Sequence, residues 1–247
     1  MSSDKPATSQ ELYRYHARNA AAVNAAMKQL RLLGNGAIKR RELQLAKLLT
    51  RQYVLLLAAL VECRLKQLTY EPQMTEPDRA AAREPGLSQA EQWLVTIDAG
   101  FVKRFQPPKD DVSRLAFTPN ARRQALRAVV NQDLKPVLEL RNSLAHGQWQ
   151  YVLNRPGTGL NQALMQALNT ETFLSLSHKE RLLGLLYRAV NDLVVSGPTF
   201  ERDFDAHYHE IDRARQRLRD HDWNKHVQFL QSRYDRGQRK RKGGTGC

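Results

Sequence analysis

From Thr8 onward, apolar and alanine positions recur at helical spacing through Val23, Met27 and Leu30, and Thr8 with Glu11 forms the reciprocal cap that opens a helix. Gly34-Asn35-Gly36 is expected to stop it. Between Ile38 and Leu68 there is neither Gly nor Pro, and Leu45, Leu48, Leu49, Leu56, Leu60 and Leu65 recur near a 3.6-residue period. That predicts a second helix ~45 Å long at ~1.5 Å per residue. Residues 71–87 carry three prolines, alternating charges and a short alanine run, and are expected to form a surface loop that buries little. Ser88 with Glu91 opens the next helix, which runs through Phe105 to Pro107-Pro108. Thr118-Pro119 places proline in a first turn, and Ala121, Leu126, Val129 and Val130 carry that helix towards Asp133. Pro136 demands either a kink or a fresh start capped by Asp133. The segment from Val137 to His146 is helical again, with Gly147 a natural left-handed stop.

After a turn at Arg155–Gly159, Ser177 with Glu180 is expected to open a helix through Val195, ended by Ser196-Gly197-Pro198. A charged helix follows from about Phe200 to Tyr234. The pattern contains no internal repeat and no clear hairpin. It predicts an all-α helical bundle forming one domain over 1–235, with 200–235 as a C-terminal helical extension and 236–247 as a disordered basic tail.

The length of 247 residues suffices for a core without disulfides or metal. Composition adds one strong feature: 39 Lys and Arg against 25 Asp and Glu leave a formal charge of +14, and phosphate-rich partners follow from that excess. Cys63 and Cys247 make neither a paired framework nor a Cys-rich zinc module, so a reduced cytoplasmic setting is expected. The longest apolar run, Tyr53 to Val61, falls well short of the ~20 residues that span a bilayer. The polar N-terminus lacks an apolar signal core. No membrane partner is expected. Most charge between 201 and 242 is balanced; only the tail, with Arg236, Arg239, Lys240, Arg241 and Lys242 against Asp235, stands apart, either as a phosphate grip or as a solubilising end.

Candidate chemistry concentrates in Glu139-Leu140-Arg141-Asn142-Ser143-Leu144-Ala145-His146-Gly147-Gln148-Trp149. On a helix, Asn142 and His146 share a face, and the long Arg141 side chain is expected to swing towards them while Leu140 and Leu144 dock the helix in the core. A histidine near a helix C-terminus can exchange protons near neutral pH. Glu62 follows the apolar run and either supports this site or pairs with Lys66 one turn later. Trp149 and Tyr151 either stack on a base or pack inward. His207 and His209 face apart on a helix, with no further ligand at metal spacing, and read as surface histidines. The chain has no phosphate-binding Gly-rich loop, no Gly-x-Ser-x-Gly elbow and no His-Glu-x-x-His.

The Arg141-Asn142-Ser143-Leu144-Ala145-His146-Gly147 stretch resembles the signature of the HEPN superfamily: Arg, a polar residue, a few more positions, then His. The resemblance implies a metal-independent endoribonuclease without cofactors, cleaving RNA through attack of its own 2′-hydroxyl on the adjacent phosphate. It implies a homodimer in which two copies of the motif build one composite site. His146 is then the general acid or base, Arg141 the group that steadies phosphate charge, and Asn142 a supporting residue. Free-standing relatives act as toxins or anti-phage effectors, with restraint supplied by a partner such as a regulatory RNA. Other members keep the fold as non-catalytic RNA-binding or assembly modules.

Overall fold

The computed structural model describes the backbone of residues 6–243 and the side chains of 6–239. Its helices are α1 (Ser9–Lys39), α2 (Leu43–Thr69), α3 (Glu76–Ala82), α4 (Gln89–Phe105), α5 (Phe117–Val129), α6 (Lys135–Ala145), α7 (Gln162–Thr170), α8 (Phe173–Val195), α9 (Gly197–Asp220) and α10 (Trp223–Gly243). Among the described residues there is no β-sheet, only one isolated antiparallel bridge between Leu153 and Leu160. The all-α class expected from the pattern is what the chain adopts.

Helix α2 is the axis of the molecule. Tyr53, Val54, Leu57, Ala58, Leu60, Val61, Leu65 and Leu68 are all buried and form a broad face covering nearly half of its circumference, too wide for one neighbouring helix to cover. Helices α1, α4, α6 and α8 supply that cover. α1 and α2 pack as an antiparallel pair, α8 and α9 as another, and α10 returns onto α1.

Helix α1 does not stop at Gly34-Asn35-Gly36. It runs through these residues because Gly34 is a contact surface: a Cβ there would lie 2.1 Å from Cζ of Phe173, the first residue of α8. The stop comes at Arg40–Glu42, where Arg41 takes the left-handed conformation (φ 64°) and its guanidinium pairs with Asp235 of α10 at 2.9 Å. Helix α2 accordingly starts at Leu43, not Ile38.

Residues 71–87 are not a bare surface loop. Met74 and Ala82 are each 1% exposed, and α3 is locked by Asp78, whose carboxylate accepts from the Thr75 backbone N–H at 2.7 Å and pairs with Lys103 of α4 at 3.0 Å. Helix α8 opens four residues before Ser177, with Thr172 and Ser175 as its reciprocal cap. Glu180, which the sequence places in a cap, instead accepts from Arg31 of α1 at 2.7 Å and from the Tyr53 hydroxyl. The C-terminal extension is two helices broken at His221-Asp222, and α10 continues helically to Gly243 where a disordered tail is expected from 236. Long-chain Arg, Gln and Lys are good helix formers, and no proline interrupts them.

Pro136 lies in the first turn of α6 and does not break the helix, which continues from α5. One turn of π-helix, Val130–Leu134, joins α5 to α6, and the N–H of Lys135 reaches back five residues to the Val130 carbonyl. The wide turn absorbs the bond that Pro136 cannot make and resets the phase of α6. Asp133 sits inside this turn. It caps nothing and receives the Arg215 guanidinium from α9, both side chains being largely buried.

Candidate active site

The phase of α6 decides where the candidate residues point. Val137, Leu138, Leu140, Ser143 and Leu144 are buried, while Lys135, Glu139, Asn142, Ala145 and His146 are exposed along one outward stripe. The helix ends in a double closure in which the Gly147 N–H donates to the Leu144 carbonyl (3.1 Å) and the Gln148 N–H to the Ser143 carbonyl (2.9 Å). This is the Schellman arrangement, with Gly147 at φ 78° and His146 as the capping residue. Trp149 adds a third bond, its indole N–H donating to the Leu144 carbonyl at 2.9 Å. Trp149 is therefore half-buried packing at the helix end, not an open platform for a base. Tyr151 is 58% exposed.

Asn142 and His146 open together into a groove of about 800 Å³ between α6, α7 and the segment that joins them. That segment doubles back through the Leu153–Leu160 bridge, and its two ends are tied by Asn154 N–H to Gly159 carbonyl and Asn161 N–H to Val152 carbonyl, each 2.8 Å. The Asn161 side chain then accepts from the Leu164 N–H and starts α7. Gln148, Asn154, Arg155 and Asn161 line the groove opposite the motif helix, and Glu139 lines it on the same side.

Arg141 does not join them. It lies about 100° around the helix from Asn142 and about 140° from His146, and its Nη2 donates to Gln89 Oε1 of α4 at 2.9 Å with Glu62 Oε2 of α2 at 3.7 Å. The convergence of guanidinium, amide and imidazole expected from the sequence is thus met by two of the three groups. Glu62 pairs with Lys66 one turn later, accepting at 2.8 Å, and also lies 3.7 Å from Arg141, outside the groove. Burial by itself would raise the Glu62 carboxyl, but the Lys66 and Gln89 hydrogen bonds and the charge of Arg141 outweigh it and hold the group below the usual carboxylate range. It is ionised at neutral pH and fixes Arg141 in place.

Two participants escaped the sequence reading. Gln89 is the first residue of α4, far from the motif in sequence, and nothing local marks it. Arg155 is the guanidinium that faces the groove; the signal that could have found it is a cation set in a Pro-Gly turn shortly after the motif.

Elsewhere, His207 hydrogen-bonds Asp192 of α8 at 2.8 Å, while His209 is exposed. Arg239 is exposed on α10, and the side chains of Lys240, Arg241 and Lys242 lie outside the described residues. Among the described residues no group of three His, Cys, Asp or Glu side chains is placed to hold a metal, and no helix is long and apolar enough to cross a membrane. No protein-family model, curated protein or solved structure matches this chain.

Proposed function

We propose that this protein is a metal-independent endoribonuclease of the HEPN kind, with His146 as its proton-transfer residue. One observation carries the reading: His146 and Asn142 stand side by side and exposed on a rigidly capped helix end, at the rim of a groove that also holds Arg155. The imidazole takes the proton from a ribose 2′-hydroxyl, or returns one to the leaving 5′-oxygen. Asn142 orients the histidine or the phosphate. Arg155 makes the forked contact to phosphate that Arg141 is not placed to make, and Arg141, braced by Gln89 and Glu62, supports the helix end. The complementary acid or base comes from His146 of a second copy across a homodimer. Toxicity or anti-phage defence is the setting the motif resemblance supports.

The runner-up is an RNA-binding or assembly module that does not cleave, and the engagement of Arg141 by Gln89 and Glu62, away from the groove, is what favours it. Incubating the protein with single-stranded RNA in EDTA separates the two. The enzyme cuts RNA, and His146→Ala, which removes an exposed side chain and leaves the fold intact, lowers the rate on the order of 10²–10⁴-fold. Retention of RNA without cleavage establishes the module.

A further inference from the structure

On another face of the molecule, residues of α1, α2, α8 and α9 line an open pocket of about 560 Å³ that is unusually rich in cations. Arg31, Arg64, His178, Arg181, Arg188 and Arg217 line it, and Glu180 is the one carboxylate among its lining residues. That carboxylate is already engaged, accepting from Arg31 and from the Tyr53 hydroxyl. Arg181 pairs with Glu210 at 3.0 Å. Arg64, Arg188 and Arg217 form no ion pair among the described residues.

Arg64 is half-buried in the pocket, its Cζ 4.7 Å from the centroid of the Tyr187 ring; it feels the charge of Glu180 but forms no ion pair with it, and the ring faces part of its charge. Burial first, then the neighbouring positive groups His221, Arg217 and Arg181, push His178 below its ordinary range, as a positive pocket should. Gly184 lies in the middle of α8, where glycine is a costly choice. A Cβ there would meet only the Arg64 guanidinium, at an ordinary 3.5 Å, so backbone packing does not demand glycine. What its missing side chain does is leave the pocket open above Arg64.

We propose that this pocket binds a compact polyphosphate, a di- or triphosphate group. Three unpaired guanidinium groups call for about three negative charges held close together, which one phosphate does not supply and an open pocket of this size accommodates. The proposal is independent of the nuclease reading, because it involves none of the groove residues.

The test is calorimetric titration of the full-length protein with inorganic tripolyphosphate at low salt, with sulfate at matched ionic strength as the control. Tripolyphosphate is expected to bind more tightly than sulfate. The double variant Arg188→Gln, Arg217→Gln, which changes two exposed side chains, is expected to weaken it by at least about tenfold, and Arg64→Gln by a similar factor. Tripolyphosphate binding no better than sulfate, or equally well to wild type and both variants, overturns the proposal. Competition then distinguishes the source: displacement by an RNA with a 5′-triphosphate assigns an RNA end, and displacement by a free nucleoside triphosphate alone assigns a small molecule. Equal displacement by the same RNA bearing a 5′-hydroxyl contradicts a polyphosphate site.

Discussion

At the scale of single residues, His146 owes its position to its neighbours more than to itself. Gly147 accepts the left-handed turn that other residues resist, and Trp149 adds a further donor to the Leu144 carbonyl, so the imidazole leaves the helix at a defined angle. A second residue sets a pH dependence of stability. Glu71, 6% exposed just beyond α2, has its carboxyl pushed up by burial, partly offset by a hydrogen bond from Tyr13. A folded-state value above the unfolded one means that the folded chain holds the proton longer, so this group costs stability as pH rises through that window and the cost is complete above it. Glu71→Gln is expected to raise the unfolding temperature at pH 8, with the gain vanishing below about pH 4, where both states are protonated. A variant less stable than wild type by the same margin at both pH values would show that the ionised carboxylate is satisfied.

Among the elements, α1 meets α8 closely at Gly34, where the Phe173 ring occupies the place of a side chain. Gly34→Ala drives a methyl into the Phe173 ring and is expected to cost roughly 1–3 kcal/mol in denaturant unfolding. An unchanged midpoint would mean that the two helices separate freely. The same contact explains what sequence reading could and could not recover. Caps are local chemistry, so Thr8 with Glu11 and Ser88 with Glu91 locate helix starts correctly. Gly34-Asn35-Gly36 carries the local signature of a stop, but a distant phenylalanine is the reason for Gly34. Ser177 with Glu180 has the form of a cap, yet Glu180 is recruited by Arg31 and Tyr53 from other helices. Asn142 and His146 share a face because of spacing alone, which is legible. Arg141 is turned away by Gln89 and Glu62, partners visible only after α2, α4 and α6 have packed together.

For the whole molecule, the +14 charge resolves into distinct places. One cation, Arg155, faces the His146 groove, while a cluster of arginines lies in the pocket beside α8. Within one copy, the groove offers His146 and Glu139 as its proton-transfer groups. The composite-site account requires a second His146, so light scattering is expected to give twice the chain mass of 28.3 kDa, and Glu139→Gln to retain activity within a few-fold. A fully active monomer, or a Glu139→Gln variant as impaired as His146→Ala, would place both proton-transfer groups in a single chain.

The central claim concerns what happens to RNA in that groove, and the chemistry of the cut ends tests it most directly. Mass spectrometry of a defined single-stranded RNA after incubation with the protein in EDTA is expected to show a 2′,3′-cyclic phosphate on one fragment and a 5′-hydroxyl on the other, with no cutting where the 2′-hydroxyl is replaced by hydrogen. Intact RNA, or fragments ending in a 3′-hydroxyl and 5′-phosphate, would contradict it.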